Sequence, residues 1–228
     1  METGFLPVLV LVGNLLVSSH GVVHDSNGYI IFCLCMGRLG NQVEHFLGGL
    51  SFAQKLNRTL ILPAFRTYKN VPFQSWFSVK SLRSFHRVVR LETFMKDLAP
   101  GVWPEEKRFG FCYQLPGHEP CEVTTGHGGK PFTTFWREAG IDFVETVRYD
   151  VSYQAPEVWK ERYPGSSYPV LALRGAPASF PMNALDARLH AFLDFSAHIK
   201  SDVDSLILKH FGGSRNYIGI HLRNNVDW

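Results

Sequence analysis

Apolar residues fall along this chain in two rhythms, short unbroken runs and helical stripes, and their alternation carries the first prediction. Tyr29-Ile-Ile-Phe-Cys-Leu-Cys35 is an unbroken apolar run of strand length, as expected for a strand buried on both faces. Met36-Gly-Arg-Leu-Gly40 then supplies a glycine-bearing turn. From Asn41 onward the apolar positions are Val43, Phe46, Leu47, Leu50, Ala53 and Leu56, one stripe of a helix for which Asn41 is the expected N-cap. Thr59-Leu-Ile-Leu-Pro63 reads as the next buried strand. Strand, glycine turn, helix, strand is a βαβ unit, which predicts an α/β fold with a parallel, doubly wound sheet.

Beyond this unit the pattern is less regular and rich in aromatic residues. Leu91–Leu98 predicts a short helix ended by Pro100, and Arg108–Tyr113 a strand. Pro169–Leu173 is a buried strand closed by Gly175-Ala-Pro177. Phe192, Phe195, Ile199, Val203, Leu206 and Ile207 mark an amphipathic helix stopped by Gly212-Gly213, and Tyr217–Leu222 is a further apolar strand. There are no internal repeats and no low-complexity tracts. Ligand groups of doubly wound folds gather beyond the carboxyl ends of strands. A chain whose last residue, Trp228, follows such a strand directly is therefore expected to be truncated.

Composition narrows the class. With 45% hydrophobic and 19% charged residues among 228, the chain is globular rather than disordered. A net charge of +3 with dispersed basic residues excludes the basic stripe of a nucleic-acid binder. The apolar run Phe5–Val17, followed by Ser18 and Ser19, has the outline of a secretory signal peptide over residues 1–20, and no other stretch reaches membrane-spanning length. Secretion makes disulfides the default for Cys33, Cys35, Cys112 and Cys121. Sequence neighbours suggest Cys33–Cys35 and Cys112–Cys121, with two other pairings open. A zinc site from Cys112, His118, Cys121 and His127 is the competing arrangement, in a spacing that matches no common module. Asn57-Arg58-Thr59 is the single N-glycosylation sequon.

Two places set polar groups at the carboxyl end of an expected buried strand. At Gly37-Arg-Leu-Gly-Asn-Gln42, glycines allow close backbone approach, a helix N-terminus offers unpaired N–H groups, and Arg38 adds a charged fork. The spacing is neither G-x-G-x-x-G nor a Walker loop, and a tight structural turn is the plain alternative. At His221-Leu-Arg-Asn-Asn-Val-Asp227, His221 and Arg223 would share one face of a strand. An arginine there can neutralise charge on a departing phosphate, or merely pair with Asp227.

Together, Met36–Gln42 and His221-Leu-Arg223 with Asp227-Trp228 resemble the two nucleotide-sugar motifs of the GDP-fucose protein O-fucosyltransferases. Further stretches resemble the same family in order: His45–Gly48, Leu56–Leu60, Leu98–Pro100, Trp103-Pro104, Glu106–Arg108, Pro131-Phe132, Phe135-Trp136, Val170–Leu173, Gly175–Ala178 and Phe180-Pro181. The likeness is strongest to the branch that modifies EGF-like domains. It implies a GT-B architecture, with residues 24–228 forming the N-terminal Rossmann-like domain, cut near the start of the inter-domain cleft, and a second Rossmann-like domain missing. It implies inverting, metal-independent transfer of fucose from GDP-fucose to a Ser or Thr hydroxyl of EGF-like domains. The substrates would be secreted or cell-surface proteins such as Notch-type receptors, met in the endoplasmic reticulum lumen. By the same resemblance, Arg38, Leu39, Gly40 and Asn41 line the donor site with Asn41 near the reacting sugar. His221, Leu222 and Arg223 contact GDP, Arg223 acts as the catalytic cation, and Asp227 has an open role. The resemblance also implies the neighbour disulfide pairing and glycosylation at Asn57. No cofactor or metal is expected: Asp202-Val203-Asp204 has the D-x-D form that holds Mn²⁺ in many glycosyltransferases, but within a helix its carboxylates point to different sides. The alternative is a non-catalytic module that recognises or chaperones EGF-like domains.

Overall fold

A computed structural model describes residues 24–115, 117, 120–124 and 132–220 of the chain. The expected signal peptide lies outside the described residues. Six strands form one parallel sheet: β1 (Tyr29–Phe32), β2 (Thr59–Leu62), β3 (Val88–Arg90), β4 (Phe109–Tyr113), β5 (Glu145–Tyr149) and β6 (Val170–Leu173), in the order β3-β2-β1-β6-β4-β5. The chain winds outward from β1 through β2 to β3. It then crosses to the far side for β4 and β5, and returns to insert β6 beside β1. The winding order of the strands reverses between β1 and β6, the place where doubly wound folds open a crevice at their strand ends.

Strand β1 and its extension show why an unbroken apolar run was needed. Ile30, Phe32 and Leu34 enter one core layer, while Tyr29, Ile31, Cys33 and Cys35 enter the other, all almost fully buried. The first layer is covered by α1 (Leu39–Lys55), whose Phe46, Leu47, Leu50 and Ala53 are wholly buried, as their stripe predicts. The second is filled by Phe94, Trp103, Phe135 and Trp136. Helix and sheet are in close contact at Gly49, where a β-carbon would stand 2.2 Å from the Phe32 ring.

Several expectations are corrected. Helix α1 starts at Leu39, with Arg38 at the N-cap position, so Asn41 is inside the first turn and does not cap it. Gly37, at φ +63°, turns the chain early, and the Asn41 side chain folds over it: a β-carbon on Gly37 would lie 2.6 Å from Asn41 Cγ. Pro100 does not end the Leu91–Leu98 helical stretch. A π-helical turn over Phe94–Leu98 passes into Ala99–Val102, where proline in the first turn lacks an N–H that has no helical partner anyway.

The last helix, α2 (Ala197–Phe211), begins after Phe192 and Phe195 rather than including them. It stops at Gly212 in the left-handed conformation, as the Gly-Gly pair predicts. Its stripe is largely open: Ile207 is buried, while Val203, Leu206 and Phe211 are exposed. Tyr217–Ile220 form no strand, and Ile218 is 92% exposed. A strand without a neighbour leaves its backbone groups unpaired, so apolar content alone does not make one. Among the described residues no helix is long and apolar enough to cross a membrane.

Candidate functional site

The carboxyl ends of β1, β6, β4 and β5 open into a cavity of about 450 Å³. Its wall includes Cys33 and Cys35 after β1, His45 on α1, Tyr149 on β5, Arg174 directly after β6, and Phe180. The Cys33–Cys35 and Cys112–Cys121 disulfides close the ends of β1 and β4, as sequence neighbours suggested. That pairing removes both cysteines from the competing zinc arrangement, whose His118 and His127 lie outside the described residues. Burial raises the Tyr149 phenol above its ordinary range, with smaller contributions from Tyr113 and Tyr163, so this group stays protonated and able to donate a hydrogen bond.

Met36 lines the same cavity and leads into the glycine turn. Here burial ends abruptly: Cys35 is 2% exposed, whereas Gly37, Arg38, Leu39 and Gly40 are all exposed and Asn41 is half-buried. Arg38 Cα marks the start of a 17-residue helix with no side-chain cap on its first turn. Unpaired N–H groups and the positive end of the helix dipole therefore face outward beside a guanidinium, an arrangement suited to a diphosphate. At Gly40 a β-carbon would find no atom within 4 Å, so the open side of the turn admits close approach to the backbone.

Of the residues singled out from sequence, the fold brings Arg38, Leu39, Gly40 and Asn41 together at the end of β1. His221, Leu222, Arg223 and Asp227 lie outside the described residues. Asn57 sits at an exposed corner between α1 and β2 with φ +57°, and the Thr59 hydroxyl of its sequon donates to Asp25 Oδ2 at 2.6 Å. Asp202 and Asp204 are exposed on α2, with Asp204 accepting from Arg215 at 2.9 Å, so they sit on a solvated helix face.

Sequence reasoning missed Arg174, Tyr149 and a polar network beneath the turn. Arg174 had a usable signal, since it is the first polar residue after the buried run Val170–Leu173. The network had none, because its members come from two segments more than 60 residues apart. Arg66, 4% exposed, donates to Glu138, to Asn70 Oδ1 at 2.9 Å and to Thr134 Oγ1. Glu138 also accepts from the Asn70 backbone N–H at 2.8 Å and from the Thr134 hydroxyl at 2.7 Å. The hydrogen bond from Arg66 holds the Glu138 carboxyl at about 2, well below the usual carboxylate range. A depressed carboxylate contributes stability above its ordinary value, 4.5, and loses it as pH falls towards 2. Melting temperature is expected to fall between pH 5 and 3 in the wild-type chain, and Glu138→Gln is expected to flatten that fall while lowering the value at pH 7. Parallel slopes for both proteins would show that Glu138 does not carry the dependence.

A sequence model of the GDP-fucose protein O-fucosyltransferase family (O-FucT) matches residues 29–228. The chain is 35% identical over 224 residues to GDP-fucose protein O-fucosyltransferase 1 of Caenorhabditis elegans, covering 90% of this chain and 56% of that protein. Among solved structures, POFUT1 in complex with GDP-fucose superposes with a TM-score of 0.81 at 35% identity, over 90% of this chain and 61% of its own. POFUT1 in complex with GDP gives 0.82 at 36% identity, over 90% and 60%. The chain thus spans little more than half the length of the curated relative it matches. The likeness agrees with the fold class expected from sequence, the parallel-sheet, Rossmann-like portion of a GT-B enzyme. Motifs, fold and overall similarity converge, and the chain belongs to the GDP-fucose protein O-fucosyltransferase family.

Proposed function

We propose that this chain is the donor-loop-bearing portion of an enzyme that moves fucose from GDP-fucose to a Ser or Thr hydroxyl of EGF-like domains. The observation that carries the reading is the exposed Arg38–Gly40 turn with half-buried Asn41 after it, set on a helix N-terminus where the winding order reverses, beside a cavity large enough for a ligand group. The diphosphate would lie along Arg38–Gly40, with Asn41 beside the sugar. The acceptor oxygen attacks the anomeric carbon from the face opposite the diphosphate. The carbon–oxygen bond to phosphate breaks, the electron pair leaves with GDP, the configuration inverts, and the acceptor hydroxyl gives up its proton to solvent water. Arg223 offsets the charge that develops on the departing diphosphate, which is the role a metal ion fills in other transferases. The reaction is therefore read as metal-independent. Its place is the lumen of the endoplasmic reticulum, where Asn57 would be glycosylated and both disulfides would form.

The test is transfer of labelled fucose from GDP-fucose to a folded EGF-like domain in the presence of EDTA. It would use the chain as it stands and a version extended with the part of the C. elegans relative that it does not span. Transfer by the extended form in EDTA is the expected result. Acceptor binding with no transfer, with or without added Mn²⁺, would overturn the enzyme reading in favour of a recognition module. Transfer that appears only with Mn²⁺ would overturn metal independence alone.

A further inference from the structure

Beneath the exposed turn, one buried amide joins the donor loop to the rest of the fold. Gln42 is 1% exposed, and its side chain makes three hydrogen bonds. Its Oε1 accepts from the Arg66 backbone N–H at 2.7 Å, and its Nε2 donates to the Arg66 carbonyl at 2.7 Å and to the Gly37 carbonyl at 3.2 Å. Both amide hydrogens are thereby used. Arg66 is itself fixed on its far side by Glu138, Thr134 and Asn70, so it is a rigid anchor.

We propose that Gln42 is the positioning residue of the donor loop, holding the Gly37–Asn41 turn in the geometry that receives a nucleoside diphosphate; this rests on the donor-site reading above. The physical link is the planar peptide between Gly37 and Arg38. In a trans peptide the C=O and N–H point in opposite directions. Drawing the Gly37 carbonyl inward onto Gln42 turns the Arg38 N–H outward, to the open side of the helix N-terminus. Gly37, at φ +63°, has little intrinsic preference for that plane and needs an external tether. Only glutamine meets the demand at this position. Glutamate lacks both donors, and asparagine is a methylene too short to reach Arg66 and Gly37 from the same backbone site.

A purely structural role, satisfying the buried backbone of Arg66, predicts loss of stability without a specific loop effect. The two are separated on the 228-residue chain by amide hydrogen exchange over residues 42–45, the first hydrogen-bonded turn of α1, where the Gln42 N–H donates to the Arg38 carbonyl at 3.0 Å, together with GDP binding by calorimetry and melting temperature. Gln42→Met keeps side-chain length and removes all three bonds. Gln42→Glu keeps the acceptor for the Arg66 N–H and loses the donor to Gly37. Arg58→Met is the control: Arg58 is 3% exposed and donates to the Tyr168 carbonyl at 2.8 Å, to Tyr29 at 3.4 Å and to Tyr163 at 2.5 Å, all remote from the turn. Both Gln42 variants are expected to speed exchange at residues 42–45 by about tenfold or more and to weaken GDP binding by a similar factor, the loss of one or two buried hydrogen bonds. Arg58→Met is expected to lower melting temperature at least as much while leaving both quantities at wild-type values. Exchange at residues 42–45 in the Gln42 variants no faster than in Arg58→Met would overturn the proposal. Failure of the wild-type chain to bind GDP would count against the donor-site reading, and the exchange comparison would still decide what Gln42 does.

Discussion

Replacing Arg223 by alanine is expected to lower the turnover of fucose transfer by roughly 10²–10³-fold while changing the acceptor KM little. The argument is electrostatic. As the bond between the anomeric carbon and phosphate lengthens, negative charge grows on the diphosphate, and a fixed cation is worth most at that moment. Removing a cation that acts mainly in the transition state reduces kcat more than ground-state binding. Arg223→Lys should recover part of the loss, because it restores the charge but not the planar two-pronged donor. The check is steady-state kinetics on the extended form, with labelled GDP-fucose and a folded EGF-like domain. Turnover in Arg223→Ala within about fivefold of wild type would remove Arg223 from the reaction.

The second large effect is expected at Gly40, where stability and binding should move in opposite directions. A β-carbon there meets no protein atom within 4 Å, and the residue lies in the first turn of α1. Gly40→Ala should leave the fold as stable as wild type or more so, by up to about 1 kcal/mol of helix propensity. If a diphosphate-sugar lies against this backbone, the added methyl group occupies its space. An overpacking cost of about 1–3 kcal/mol corresponds to a roughly ten- to hundredfold loss of donor affinity. Gly40→Val should weaken binding further at similar stability. Melting temperature together with GDP titration separates the two quantities. Unchanged GDP affinity in both variants would move the donor away from this turn.

Where the sequence was legible, it was because burial acts on both faces of a segment at once. Tyr29–Cys35, Thr59–Leu62 and Val170–Leu173 are central strands with a core layer on each side, so their apolar runs are unbroken and easily read. The edge strands β3 and β5 were not foreseen. Each pairs on one side only and carries charge, as in Arg90, Glu145 and Arg148, so the run that marks a central strand is absent. The opposite error occurred at Tyr217–Ile220, an apolar segment with no strand beside it among the described residues. Local pattern reports how much a segment needs burial, and pairing depends on whether a neighbour is present.

The same division runs through the candidate site. The turn Met36–Gln42 was visible because glycines, an arginine and a helix start stand next to one another in the chain. Arg174 was open to the same rule, as the first polar residue after a buried strand. Gln42 was visible only as a letter in the motif. Its function depends on Arg66, Thr134 and Glu138, which approach it only after the sheet and the small Phe65–Arg66/Asn70–Val71 hairpin have formed.

The sequence by itself determined the buried parallel strands, the helix that follows the first of them, the position of the glycine turn and the family. All of these are written in short contiguous segments, where side-chain chemistry and spacing act over a few residues. Tertiary structure alone decided that β6 inserts between β1 and β4 and opens the cavity at their carboxyl ends. It also decided that Arg38 rather than Asn41 precedes the helix, and that a buried amide anchors the turn. These depend on contacts between residues distant in sequence, whose distances are set by how the whole sheet closes and not by any local preference.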